Sequence, residues 1–122
     1  MQRVEKDASR DHRIHMEIVV DAYNEEERAM GWYYYLEDRL HFPFEARCIR
    51  RRHISPLSVG EEMEVAQMAP EDACSHEMFV EVSWQDRIFS VPLDQLEPMT
   101  TDEETQQAIE DWHYWVGRGH KF

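Results

Sequence analysis

Residues 24–40 constrain the fold most strongly, because they carry the successive signals of one amphipathic helix. Asn24 is a preferred N-cap residue, and Glu25, Glu26 and Glu27 put negative charge in the first turn, where the helix dipole favours it. Apolar residues then recur at spacings of three and four, which predicts a buried stripe. The stripe comprises Ala29, Trp32, Tyr33, Leu36 and Leu40. We interpret the three glutamates as a helix start and not as ligands.

The end of this helix is unusual, because Glu37 and Asp38 lie side by side at the terminus that carries partial negative charge. Carboxylates are disfavoured there by about 0.3–1 kcal/mol, and a nearby cation would offset that cost. Arg39 is the ordinary candidate for the cation, and a bound metal ion is the functional one. Glu37 and Asp38 are therefore the first candidate metal ligands.

The charge balance of the chain bounds its partners. The 122 residues include 26 acidic and 13 basic side chains, which gives a formal net charge of −13. Self-repulsion of this size argues against binding to nucleic acid or to an anionic membrane, and it favours cations or a basic partner. Solubility alone is the simpler explanation of the same charge.

Length and cysteine content predict a single cytoplasmic domain. No apolar run is long enough to cross a bilayer, and the N-terminal residues lack the apolar stretch of a signal peptide. The two cysteines, Cys48 and Cys74, form neither a disulfide framework nor a zinc-type pair. Reduced thiols in the cytoplasm are the expected state.

The pattern predicts an α+β fold with a small SH3-like β-barrel. We expect a flexible arm over residues 1–13 and one domain over 14–122, opening with a strand over 14–20. The barrel is expected over about residues 45–97, and the assignment to an SH3-like fold is an analogy that implies no function.

Within that barrel, the sequence predicts short strands joined by turns. Alternating residues predict strands over 62–68 and 78–84, and Gln85-Asp86 predicts a tight turn into the next strand. Residues 92–96 are typical of a single helical turn. A last helix is expected from Thr100 or Thr101, with Thr101 and Glu104 forming a capping box.

A second group of carboxylates lies in the acidic loop over residues 70–77. Glu71, Asp72 and Glu77 come close together there, and loops also expose carbonyl oxygens. Calcium takes six to eight oxygen ligands in flexible geometry, so this loop is the second candidate site. A solvated loop is the alternative. No twelve-residue EF-hand loop is present, because frames starting at Asp21 or Asp102 lack the required glycine and final acid.

Catalysis has little support in the sequence. It contains no glycine-rich phosphate loop, no G-x-S-x-G elbow and only four glycines, so we do not expect an enzyme. One basic cluster, Arg47 and residues 50–53, could dock on an anionic partner. Pairing with the many neighbouring acids is the better-supported interpretation.

Several long motifs resemble those of the small acidic calcium-binding proteins first described in cyanobacteria, the CcbP family. They are Glu17-Ile18-Val19-Val20-Asp21-Ala22-Tyr23, Ala29-Met30-Gly31-Trp32-Tyr33-Tyr34-Tyr35-Leu36-Glu37-Asp38, Phe42-Pro43-Phe44 and Asp111-Trp112-His113-Tyr114-Trp115. The resemblance implies Ca²⁺ binding by a non-EF-hand domain that buffers or signals calcium in a bacterial cytoplasm. The alternative is an acidic SH3-like interaction module that binds a basic partner and no specific metal.

Overall fold

The computed structural model describes residues 7–20 and 22–119. In this range the chain forms an α+β fold, as predicted. The helices are α1 (Ala8–Glu17), α2 (Glu25–Arg39) and α3 (Glu103–Gly117). The strands are β1 (Phe44–Cys48), β2 (Glu62–Met68), β3 (Phe79–Trp84), β4 (Arg87–Pro92) and β5 (Leu96–Pro98), with short 3₁₀-helices at Glu71–Cys74 and Leu93–Gln95.

The five strands form one antiparallel sheet in the order β4-β3-β2-β1-β5. Gln85 and Asp86 make the predicted tight turn, and both have the positive φ that a two-residue hairpin loop favours. In the described part of the chain, β4 and β5 are the two edges and no ladder joins them. The sheet is therefore open, and the predicted SH3-like barrel is not confirmed.

The helices pack through an aromatic core. The predicted stripe of α2 is buried, and the ring of Trp32 lies 5.1 Å from that of Trp112 and 5.6 Å from that of Trp115, between ring centroids. Edge-on and tilted contacts of this kind are favourable geometries for aromatic pairs. No helix among the described residues is long and apolar enough to cross a membrane.

The predicted strand over residues 14–20 is wrong, because residues 8–17 form α1. Asp7 caps this helix by accepting a hydrogen bond from the N–H of Arg10. Ile14 and Ile18 are buried and lie four residues apart, which is helical spacing. Residues 8–13, expected in a flexible arm, are part of the helix, and residues 1–6 of that arm lie outside the described residues.

The predicted start of α3 is displaced by one residue. Asp102, and not Thr101, is the N-cap, and its Oδ2 accepts a hydrogen bond from the N–H of Thr105 at 2.8 Å. Thr100 contributes differently, because its hydroxyl oxygen accepts a hydrogen bond from the N–H of Asp102. The capping-box prediction is therefore wrong, and an aspartate performs the capping instead.

Candidate metal-binding face

Two tyrosines of α2 hold the first 3₁₀-helix beside it. The buried Tyr33 donates its hydroxyl hydrogen to the carbonyl of Ala69 at 2.8 Å. Tyr34, the next residue, donates to Oε2 of Glu71 at 3.0 Å. These bonds bring the acidic loop predicted from the sequence against the exposed side of α2.

A cleft of about 790 Å³ lies between α2 and this 3₁₀-helix. Four carboxylates surround it, those of Glu25, Glu26, Glu71 and Asp72. The remaining lining is largely apolar and comprises Ala29, Met30, Tyr33 and Cys74, together with Ser75 and His76. The cleft therefore combines an acidic rim with an apolar floor.

A smaller recess of about 400 Å³ adjoins the cleft, and Tyr33 lines both. Glu37 and Glu81 supply its carboxylates. Gln67 donates a hydrogen bond to Oε1 of Glu81 at 2.5 Å, which fixes that side chain on the sheet. We call the cleft and the recess together the acidic face, with the carboxylates Glu25, Glu26, Glu37, Glu71, Asp72 and Glu81.

Nearby carboxylates contribute to the raised pKa values of two tyrosines beside the acidic face. Burial raises the pKa of Tyr33, and the charges of Glu37 and Glu71 raise it further. The hydrogen bond to Glu71 raises the pKa of Tyr34. No lysine or arginine lines either cavity among the residues the structure describes. The face is therefore an attractive surface for cations.

Glu37 and Asp38, the first candidate pair, point to different surroundings at the end of α2. Glu37 lines the recess, whereas Asp38 is 80% exposed and has its Oδ2 3.5 Å from Nε of Arg39. Arg39 also lies 3.7 Å from Glu104 and above the ring of Tyr35. The ordinary compensating cation thus contacts Asp38, and among residues 7–20 and 22–119 no such contact is seen for Glu37.

Backbone carbonyl oxygens add to the possible metal ligands at this end of α2. The N–H of His41, which would bond the carbonyl of Glu37 in a continued helix, donates instead to the hydroxyl of Thr105 at 3.0 Å. The last four carbonyls of a helix lack partners within it. Carboxylate and carbonyl oxygens therefore occur together near Glu37 and Asp38.

The second candidate group is divided between two surroundings. Glu71 and Asp72 line the cleft. Glu77 instead accepts hydrogen bonds from the two terminal nitrogens of Arg52, at 2.9 and 3.2 Å, and Arg52 also donates to Oδ1 of Asp94 at 2.7 Å. Pairing of the basic cluster with neighbouring acids, the interpretation favoured above, is thus observed for Arg52, and Arg47 pairs likewise with Glu97.

Three carboxylates of the acidic face were missed from the sequence. Glu25 and Glu26 belong to the helix start together with Glu27, yet within the described residues the capping contact is made by Glu27, which accepts a hydrogen bond from the N–H of Tyr23. Glu81 was read only as a strand residue. Nothing in the local sequence marks these acids, because their proximity depends on how the 3₁₀-helix packs on α2.

The oxygen atoms on this face are the kind of ligand that suits a hard cation such as Ca²⁺, which takes carboxylate, carbonyl and water oxygens. Within residues 7–20 and 22–119, however, no three histidine, cysteine, aspartate or glutamate side chains already converge as a metal centre. Exposed carboxylates rotate on the picosecond to nanosecond scale, so convergence on an ion is accessible to them.

Comparison with known proteins decides the family. A family model described as calcium binding, that of CcbP, matches residues 12–116. The chain belongs to the CcbP family. This is a family of calcium-binding proteins and not of enzymes, and membership does not favour the alternative of a metal-free interaction module.

Two solved structures are similar to the CcbP-family chain over its full length. One is the crystal structure of Anabaena CcbP, with 46% sequence identity, a TM-score of 0.88 and complete coverage of both chains. The other is a calcium binding protein in the calcium-binding form, with 46% identity, a TM-score of 0.84 and the same coverage. No match was found among curated protein sequences.

Proposed function

We propose that this CcbP-family protein buffers or signals Ca²⁺ through carboxylates at the end of α2 and on the acidic face. Glu37 and Asp38 are the first ligands, and Glu71 and Asp72 form a second site. The observation that carries the proposal is the collection of carboxylates from α2 and the 3₁₀-helix on one face, in a chain of a calcium-binding family. The two free, buried cysteines agree with action in a reducing cytoplasm.

The end of α2 is suited to a divalent cation for two reasons. The helix terminus attracts positive charge, and the adjacent carboxylates of Glu37 and Asp38 add two full negative charges. The partnerless carbonyls of the last turn supply further oxygens, and water completes a coordination number of six to eight. Binding would draw Asp38 away from Arg39 and turn Glu37 out of the recess.

The second site uses Glu71 and Asp72 on the rim of the cleft. We leave Glu77 out of this ligand set, because Arg52 already engages both of its oxygens. Glu71 and Asp72 lie in the first turn of the 3₁₀-helix and away from the negative end of α2, so we expect the weaker affinity at this site.

Calorimetric titration of two double variants tests the assignment. Glu37→Gln with Asp38→Asn should weaken calcium binding by at least about tenfold, since two charged ligands are lost, each tenfold being about 1.4 kcal/mol. The control is Glu62→Gln with Glu64→Gln, which removes the same charge from exposed positions of β2. Equal weakening in both variants would mean that only net charge matters, and the assignment of Glu37 and Asp38 would be withdrawn.

A further inference from the structure

The floor of the cleft is unsuited to a metal ion. Ala29, Met30, the ring of Tyr33 and Cys74 offer no hard oxygen ligands, and Met30 keeps 40% of its surface exposed there. The volume of about 790 Å³ lies in the range of organic-ligand sites, about 300–1,000 Å³, whereas one water fills only about 30 Å³. An ion bound at the rim would leave most of this space and its apolar surface uncovered.

The carboxylates on the rim indicate that a complementary ligand carries positive charge. Glu25, Glu26, Glu71 and Asp72 surround the apolar floor, and Tyr34 holds Glu71 in place through its hydroxyl. The hydroxyl of Tyr33 is fixed on the carbonyl of Ala69, so its ring stays in the cleft wall, where an aromatic face attracts cations. His76 is the other titratable side chain on the rim.

We propose that this cleft binds an organic cation with an apolar body, of the alkylammonium class. The alkyl chain of the ligand lies on Ala29, Met30 and Tyr33. Its ammonium group is held by the carboxylates of Glu25 and Glu26, together with those of the 3₁₀-helix. Calcium is not required for this binding. The proposal shares Glu71 and Asp72 with the second calcium site, so the test below uses residues outside both calcium sites.

The test is a titration of calcium-free protein with n-hexylammonium, followed by NMR of methyl-labelled methionines in about 0.15 M salt, where charges are screened beyond about 8 Å. The methyl of Met30 should shift saturably. Met16 and Met99 are similarly exposed but do not line the cleft, so their methyls should stay unchanged. Equal shifts at all three methionines would overturn the proposal.

Two simpler probes separate charge from apolar contact. Ethylammonium keeps the charge with a shorter chain, and hexanol keeps the chain without the charge. Since hexylammonium has four more methylenes to bury than ethylammonium, it should bind more than about tenfold tighter. It should also bind more than about tenfold tighter than hexanol. Equal binding of hexylammonium and either probe would contradict a site that needs both parts.

A charge-matched pair of variants localises the carboxylates. Glu25→Gln with Glu26→Gln should weaken hexylammonium binding about tenfold. Glu103→Gln with Glu104→Gln removes two adjacent glutamates from the first turn of α3 and should change it less than twofold. Circular dichroism checks that both variants fold. Equal weakening would indicate a general charge effect and overturn the site.

The same chemistry could come from a free amine or from a lysine of a partner protein. Nα-acetyl-lysine methylamide distinguishes these sources, because tighter binding than hexylammonium points to a peptide, and weaker binding to a free amine. Calcium titration of the Glu25/Glu26 variant separates the proposals. Retained calcium binding with lost hexylammonium binding supports the cleft site, and unchanged hexylammonium binding contradicts it whatever calcium does.

Discussion

At the scale of single residues, Gly31 explains how α1 reaches α2. A Cβ at this position would lie 2.3 Å from the carbonyl oxygen of Ile18, which follows the end of α1. Ordinary carbon contacts are about 3.5–4.0 Å, so the backbones meet where no side chain fits. A glycine that lowers helix propensity is retained in the middle of α2 by this contact.

Gly31→Ala should therefore destabilise the protein by about 1–3 kcal/mol, because α1 must shift. At an open helix position the same change would stabilise by about 0.5–1 kcal/mol. Urea unfolding followed by tryptophan fluorescence measures the difference, with the exposed neighbour Met30→Ala as the control for helix propensity. An unchanged or raised free energy of unfolding for Gly31→Ala would contradict the packing.

His113 should make stability depend on pH. Burial lowers its pKa below the ordinary value near 6.5, and the charge of Arg50 lowers it further, against smaller opposing effects of Asp94 and nearby backbone. The folded protein keeps His113 neutral, so the unfolded chain binds more protons as the pH falls through about 6.5. The part of the unfolding free energy that depends on a neutral His113 is fully present above that pH and is lost as the pH falls below it.

Between pH 7.5 and 5.5, we therefore expect a smaller loss of unfolding free energy in His113→Gln than in the wild type. His53→Gln, at an exposed position, is the control and should lose as much as the wild type. Urea unfolding at both pH values gives the comparison, and an identical loss in all three proteins would argue against a neutral His113.

At the scale of elements, a buried ion pair joins α1 to α3. Asp111 is fully buried, and its carboxylate accepts hydrogen bonds from Arg13 at 2.5 and 2.8 Å and from the hydroxyl of Tyr35 at 2.7 Å. Burial and this carboxylate raise the pKa of Tyr35 to about 12. One acid on α3 thus contacts both other helices.

Arg13→Met should lower the free energy of unfolding by about 3 kcal/mol, because Asp111 would be left charged and buried without its main partner. Arg10→Met is the matched control. Arg10 lies 3.4 Å from the same carboxylate and 3.3 Å from the exposed Glu110, and its loss should cost less than about 1 kcal/mol. Equal losses in chemical denaturation would show that Arg13 has no special role.

The elements that could be predicted from the sequence are those with strong local signals. The helix α2, the strands β2 to β4 and the Gln85-Asp86 turn follow from local periodicity and turn chemistry, and they were predicted. Residues 14–20 were predicted as a strand, because polar and apolar residues alternate there before an apolar run, whereas the contact of Arg13 in α1 with the distant Asp111 cannot be seen in the local sequence. Tertiary contacts of this kind override local propensity.

At the scale of the whole molecule, the excess of acidic side chains favours cations as partners, and packing places several of these side chains on one face. The charge of −13 and the Glu37-Asp38 pair indicated a cation as partner, and calcium followed from these features together with the resemblance to the CcbP family. Which acids share a surface could not be predicted, because Glu25, Glu26 and Glu71 meet only when the 3₁₀-helix is held on α2 by Tyr34. Glu77 was grouped with Glu71 and Asp72 because it is close to them in the sequence, but in the structure it pairs with Arg52.

The most direct test of selective calcium binding is isothermal titration of metal-stripped wild-type protein with calcium, repeated in millimolar magnesium and physiological salt. Magnesium demands near-ideal octahedral geometry and dehydrates reluctantly, so flexible carboxylates should prefer calcium. We expect saturable calcium binding that survives both additions. Heat that disappears in magnesium or salt would show only a diffuse counterion cloud, and would contradict a selective calcium site.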